Sequence, residues 1–124
     1  MEIFNIQNKS ILIVEDDNYN ATFLNEILAE NKAITTIVQY GKEAVKLINS
    51  QHFDLVLMDI GLPDISGYEA TKQILASNPQ VKIIAQTAYA SQDDRMKALA
   101  VGCVDYISKP IKPQALLLLL NKYC

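Results

Sequence analysis

The sequence predicts an α/β fold: a doubly wound, five-stranded parallel sheet with helices on both faces, three layers in all. Three observations predict it. Five short apolar, β-branched runs alternate with five stretches of helical spacing, and turn or cap residues fall between them. Four of the five runs also end in acids, a hydroxyl or an ammonium, the kind of residue that gathers at the carboxyl edge of such a sheet. At 124 residues and 50% hydrophobic content, the chain suits one domain, with its core expected over about residues 10–122. No linker or low-complexity stretch interrupts it.

Each element has its own justification. The first strand, Ile11–Val14, runs into Glu15-Asp16-Asp17. The helix expected over 18–30 carries Ala21, Phe23, Leu24, Ile27 and Leu28. These span an arc of about 160°, wider than the roughly 100° stripe a core-facing helix needs. Its margin, Phe23 and Ile27 with Asn20 between them, is either overhang of core residues or a docking strip. The second strand, Ile34–Val38, leads only to Gln39-Tyr40-Gly41 and offers no comparable chemistry, which places it at a sheet edge. The strand order is then 2-1-3-4-5, with a crevice between strands one and three. After a helix over 41–50, Leu55–Met58 delivers Asp59, followed by Ile60-Gly61-Leu62-Pro63. Ser66 and Glu69 have capping-box spacing at the head of a helix over 66–77. Asn78-Pro79 turns the chain into a fourth strand, Val81–Ala85, which ends at Gln86-Thr87. Ser91 precedes Asp93 and Asp94, acids placed favourably in the first turn of a helix over 92–101, and Gly102 is a left-handed stop. The fifth strand, Val104–Ile107, leads to Ser108-Lys109, and Pro113 suits the first position of a helix over 113–122. Five consecutive leucines, Leu116 to Leu120, go round that helix, so one or two cannot face the sheet.

Composition narrows the function. A net charge of −3 without a basic run disfavours nucleic acid. No apolar run approaches the ~20 residues of a membrane span, and the N-terminus lacks a signal-peptide pattern. Cys103 and Cys124 have no metal-ligand spacing and read as free thiols of a reducing cytoplasm, Cys103 buried and Cys124 at a frayed end. A phosphate-binding GxxxxGK loop is absent from the sequence. His52 falls in a surface loop at the end opposite the acids, and Met58 points into packing.

Several acids around one crevice repel one another and either take up protons or recruit a cation. Mg²⁺ suits such a site: it is hard, prefers oxygen, and commonly uses one or two carboxylates plus a phosphate. Lys109 then neutralises a further negative group, the Thr87 hydroxyl donates to a phosphoryl oxygen, and Asp59 is the candidate nucleophile. Any one of these residues alone is better read as a helix cap or a solvated strand end. Their convergence at four strand ends is not.

Four motifs carry a resemblance: Ile11-Leu12-Ile13-Val14-Glu15-Asp16-Asp17; Leu57-Met58-Asp59 with Leu62-Pro63 and Gly67; Gln86-Thr87-Ala88; and Asp105-Tyr106-Ile107-Ser108-Lys109-Pro110. Together, in this order, the chain resembles the receiver domain of two-component response regulators, from Ile11 to about Leu120. The resemblance implies a flavodoxin-like fold and a single receiver domain over 1–124. It implies phosphorylation of Asp59 by a phosphohistidine on a sensor histidine kinase or histidine phosphotransfer protein. It further implies a Mg²⁺ site, in which Mn²⁺ substitutes, built from Glu15, Asp16, Asp59 and the Gly61 carbonyl. Thr87 and Lys109 are the other catalytic positions, Lys109-Pro110 is a cis peptide, and Thr87 with Tyr106 forms the switch. Asn20, Phe23, Ile27 and Pro110 are the positions for partner docking. The face of the fourth helix, fifth strand and fifth helix changes on phosphorylation and is the expected surface for a downstream protein or for weak homodimerisation. The protein is then a cytoplasmic signalling phosphoacceptor rather than an enzyme on an external substrate.

The chain departs from the pattern at three points. Its acidic pair is Glu15-Asp16 rather than two aspartates, Gly61 lacks the longer side chain common there, and Tyr89 is aromatic. Tyr89 is expected to shield the acyl phosphate and lengthen its life. A Mg²⁺-dependent aspartyl phosphatase of the haloacid-dehalogenase kind is the alternative, but it needs a second acid where Gly61 stands. A flavodoxin-like cofactor binder needs a glycine-rich phosphate loop where this chain has acids. No output domain is visible after the last helix, so the chain reads as a stand-alone regulator or a module of a hybrid sensor kinase or larger regulator. The Leu62-Pro63-Asp64 loop and Gly67–Thr71 lean toward the latter.

Overall fold

Strands β1 (Ser10–Val14), β2 (Ile34–Val38), β3 (Leu55–Asp59), β4 (Ile83–Thr87) and β5 (Asp105–Ser108) alternate with five helices in the computed structural model, which describes residues 5–88 and 91–124. The helices are α1 (Asn18–Glu30), α2 (Gly41–Ser50), α3 (Gly67–Ser77), α4 (Gln92–Ala100) and α5 (Pro113–Tyr123). All pairings are parallel and the order is β2-β1-β3-β4-β5, as the placement of the polar strand ends predicts. The proposed shielding residue Tyr89 lies outside the described residues.

The two-residue period of the strands divides the core in two. Ile11, Ile13, Leu55, Leu57, Ile84 and Ile107 face one way, against Leu24 and Leu28 of α1 and Leu116, Leu117 and Leu120 of α5. Leu12, Val14, Val56, Met58, Ile83 and Ala85 face the other, against Ala44 and Ile48 of α2, Ala70 and Ile74 of α3 and Ala98 of α4. Strands β3 and β4 are buried along their whole length, whereas edge strand β2 exposes Ile34 and Ile37. Leu118 is the leucine of the run of five left exposed.

Caps fix where the helices begin. Asp17, Ser66 and Ser91 each accept a backbone N–H in the first turn of α1, α3 and α4. The capping box at α3 is half formed: Ser66 Oγ accepts from Glu69 N, but the Glu69 carboxylate takes a hydrogen from Gln73 instead. Helix α2 has no side-chain cap of its own, and Asp64 from the β3–α3 loop accepts from Gly41 N at 2.9 Å and Lys42 N at 3.0 Å. Gly102 stops α4 with φ +107°.

Strand β4 begins two residues later than its apolar run implies. The Val81 N–H is held by the Asn78 carbonyl in the turn around Pro79, so pairing with β3 starts at Val56 and Ile83. Gln86 and Thr87 are therefore strand residues rather than loop residues. Strand β5 is likewise displaced by one residue. No helix among the described residues is long and apolar enough to cross a membrane.

Both cysteines are free, and their settings differ: burial pushes the Cys103 thiol up to about 11, while Cys124 is half-buried at the chain end. The thiolate is the reactive form. A thiol reagent at pH 8 should therefore modify about one cysteine, Cys124, in the native chain and both in denaturant; rapid reaction of Cys103 in native protein would contradict this packing.

Candidate functional site

The carboxyl ends of β1, β3, β4 and β5 meet at one mouth. β1 hands over Glu15 and Asp16, β3 ends on Asp59, β4 on Thr87, and Lys109 follows β5 directly. Carboxylate oxygens of Glu15, Asp16 and Asp59 lie within 4.8 Å of one another. Glu15 and Asp59 are buried; Asp16 is exposed. The Lys109 Nζ stands between the buried pair, 3.1 Å from Glu15 Oε1 and 3.2 Å from Asp59 Oδ1. These groups, with Thr87, Gly61, Tyr68 and Asp94, line a cavity of about 430 Å³.

Local structure holds each group in place. Asn20 Nδ2 donates to Glu15 Oε1 from the first turn of α1, and Gly61 N donates to Asp59 Oδ1 at 3.3 Å. Gly67 N bonds the Ile60 carbonyl at 2.9 Å, clamping the start of α3 onto the end of β3. A Cβ at Gly67 would lie 2.3 Å from the Asp59 carbonyl oxygen, so only glycine allows this approach. Lys109-Pro110 is cis, as expected.

The electrostatics follow from burial and crowding. Burial, then the neighbouring Asp59 carboxylate, raises the Glu15 carboxyl above the usual carboxylate range, against the opposing pull of Asn20 and Lys109. Burial alone would depress the Lys109 ammonium, but Asp59 and Glu15 outweigh it and hold it above the ordinary lysine value. Oxygen donors crowded in this way suit a hard divalent cation.

The Thr87 hydroxyl lines the cavity and is buried without a hydrogen-bond partner among the described residues; both side-chain polar atoms of the adjacent Gln86 are likewise buried and unpartnered there. An unsatisfied buried polar atom typically costs about 1–3 kcal/mol. The free Thr87 hydroxyl fits a site that awaits an oxygen ligand.

Other expected residues fall as follows. Tyr106 is half-buried, with the Arg95 guanidinium 5.7 Å from its ring centre. Pro110 is exposed beside the mouth. Of the expected docking strip on α1, Asn20 is occupied by Glu15 and Phe23 is partly buried against the core. Ile27 requires correction: it is buried in the core cluster beneath α1 and presents almost no surface. The exposed apolar neighbour of Phe23 is instead Tyr19, four residues earlier, and the two line a shallow groove with Asn18, Thr22 and Glu26. Asp17 is spent on its N-cap bond to Tyr19 N, which its position just before α1 could have revealed. The contact of Tyr68 Oη with Asp94 Oδ1 at 3.4 Å, bridging α3 and α4, has no local sequence signal. His52 lies at the far end of the sheet, paired with Asp54.

Comparison with known proteins agrees with this geometry. The sequence profile of the response regulator receiver domain matches residues 11–121. The polar-differentiation response regulator DivK of Brucella ovis is 38% identical over 105 residues, covering 83% of this chain and 85% of DivK. The receiver domain of sensor histidine kinase PA1611 from Pseudomonas aeruginosa, solved with a magnesium ion coordinated in its active-site cleft, superposes with a TM-score of 0.87 at 38% identity, covering 94% of this chain and 97% of that one. The receiver domain of Saccharomyces cerevisiae Ssk1, solved in complex with the histidine phosphotransfer protein Ypd1, gives 0.91 at 34% identity, covering 98% and 91%.

Two outcomes test the site's construction. Gly67→Ala should destabilise the fold by about 2–3 kcal/mol in chemical denaturation, through overlap with backbone. Gly61→Ala, where a Cβ meets nothing within 4 Å, should leave stability near wild type. The charges also set a pH profile. Because the folded Lys109 value is raised, its contribution is complete below the unfolded 10.5 and is lost as pH rises through the folded value. Because the folded Glu15 value is also raised, its ionisation opposes folding as pH climbs from 4.5 through the folded value. A divalent cation should therefore raise the melting temperature more at pH 7 than at pH 4.5.

Proposed function

The chain belongs to the response regulator receiver family of two-component systems, and from that premise we propose that Asp59 accepts a phosphoryl group from a phosphohistidine on a sensor histidine kinase or histidine phosphotransfer protein. One observation carries the reading: a buried carboxylate at a strand end, flanked by two more carboxylates and contacted by an ammonium, opening onto a cavity.

The donor set fits Mg²⁺: Asp16 and Asp59 would ligate it, Glu15 would act through a water, and the Gly61 carbonyl would complete the protein's share; Mn²⁺ would suit the same oxygens. A bound cation would supply charge neutralisation for phosphoryl oxygens beside Asp59. The chain's own residues do the rest. An Asp59 carboxylate oxygen attacks phosphorus in line with the departing imidazole nitrogen; the P–O bond forms as the P–N bond breaks, and the bonding pair leaves with the imidazole. Lys109 screens the charge that gathers on the phosphoryl oxygens, and the unpartnered Thr87 hydroxyl donates to one of them. Such positioning and charge neutralisation are most of what phosphoryl transfer requires. Gly61 stands where an aspartyl phosphatase needs its second acid, which disfavours steady hydrolysis of phosphate esters.

The partner approaches over α1, along the groove that Tyr19 and Phe23 line, with Pro110 next to Lys109 at the mouth. The response passes through Thr87 to Tyr106 and so to the surface of α4, β5 and α5. Met96 and Leu99 of α4 and Leu118 of α5 are exposed apolar residues there, which supports a protein target or a weak homodimer on that face. This reading places the protein in the cytoplasm.

With acetyl phosphate and Mg²⁺, wild-type protein should gain one phosphoryl group by intact mass and Asp59→Asn none; labelling of Asp59→Asn to the wild-type extent would refute the assignment. Tyr19→Asp and Phe23→Asp should each slow transfer from a phosphorylated histidine phosphotransfer protein roughly tenfold, as loss of an aromatic contact does. Their rates with acetyl phosphate should stay unchanged. Equal loss with both donors would move the docking surface elsewhere.

A further inference from the structure

Gln86 is fully buried at the carboxyl end of β4, and neither its amide nitrogen nor its amide oxygen has a hydrogen-bond partner among the described residues. The register pairs it with Asp59 on one side and with Ile107 on the other. The pleat puts its side chain on the face of Leu57, Ile84 and Ile107, beneath α1 and α5. Its backbone carbonyl already accepts from Ile60 N, the residue after Asp59. A primary amide in an apolar layer, where leucine would pack without penalty, calls for a partner that is present in another state of the protein.

That partner is identified by the path of Lys109. The lysine follows β5, with its backbone N–H on the Thr87 carbonyl, and its Nζ reaches Asp59 and Glu15 at the ends of β3 and β1. To do so its side chain crosses the end of β4. The ammonium has three donors, and in this structure Glu15 and Asp59 are its two acceptors within 3.2 Å. Both carboxylates are also the residues that a divalent cation takes up. An ammonium deprived of them in a half-buried site needs a new acceptor, and the Gln86 amide oxygen is a free one on the adjacent strand.

We infer that Gln86 is a positioning residue: its amide oxygen accepts a hydrogen from Lys109 Nζ once the carboxylates are engaged by a cation, and so holds the ammonium facing the phosphoryl site. This rests on the phosphoacceptor reading above. Gln86 touches no reacting atom; it acts through Lys109. The exchange gives the unpaired Gln86 amide oxygen a donor.

The test compares Gln86→Leu with wild type in cation-free buffer and with Mg²⁺ alone. Without the cation, Gln86→Leu should melt roughly 3 °C or more higher, because two unsatisfied polar atoms are gone. With it, calorimetric titration should show Mg²⁺ binding about three- to tenfold more weakly, the loss of one hydrogen bond to a charged group. In a Lys109→Ala background the Gln86 substitution should no longer change Mg²⁺ affinity. Gln86→Met, of similar length, provides a second variant should leucine pack badly. Equal shifts in melting with and without Mg²⁺, and unchanged affinity, would overturn the inference and leave the phosphoacceptor reading standing. Failure of wild-type protein to bind Mg²⁺ would overturn both.

Discussion

Everything distinctive about this fold depends on two buried carboxylates being forced together at one sheet edge and restrained by one ammonium. Glu15 and Asp59 stand at the ends of neighbouring central strands, both out of water, with Lys109 Nζ about equally distant from each. Carboxylates so placed repel one another, and burial strengthens the repulsion. Burial first, and then the Asp59 carboxylate, keep the Glu15 carboxyl shifted upward despite its contact with Lys109. The site is an electrostatic deficit for positive charge, built into the backbone.

That deficit is affordable because the surrounding sheet is well supported. Strands β3 and β4 are buried along their length, and alternate residues feed two separate apolar layers under five helices. The polar cost is confined to the strand ends, where the ladder is finished and backbone groups have found other partners. Gly67 shows how tightly this is drawn: α3 starts directly on the Asp59–Ile60 backbone, with no room for a side chain. The helix that packs against the second core layer thereby fixes the angle at which Asp59 leaves its strand.

Much of this was legible in the sequence because the two periods involved are simple. Alternating apolar runs marked the strands, cap residues marked the helices, and the one strand lacking terminal chemistry, Ile34–Val38, correctly became the edge. The four polar strand ends, taken together, gave the mouth with Glu15, Asp16, Asp59, Thr87 and Lys109. What was not legible depended on packing between distant segments. Ile27 reads as the edge of an amphipathic arc, yet it packs into the core cluster beneath α1, and Tyr19 is exposed instead. The start of β4 could not be read because Val81 is apolar and β-branched, while its N–H belongs to the preceding turn. Asp64 looks like an ordinary loop acid, and only the folded chain shows it capping a helix 23 positions away in sequence.

A conformational response requires that the two states of a protein interact differently with what is added. Among the described residues, hydrogen-bonding capacity is unused at Gln86 and Thr87, side by side on the strand between Asp59 and Lys109. Those atoms gain nothing in this arrangement, so any state that supplies oxygen to Thr87 or a donor to Gln86 is favoured by the difference. The same strand end carries the backbone bond from Thr87 to Lys109 N, and Tyr106, three residues before Lys109, lies under the Arg95 guanidinium of α4. On the proposed function, a shift of Thr87 toward the mouth would act on β5 through this short hydrogen-bonded path and on α4 through one cation–π contact. On that proposal, the exposed end of the path, rather than the acidic mouth, would be the part of the molecule that reports occupancy to another protein.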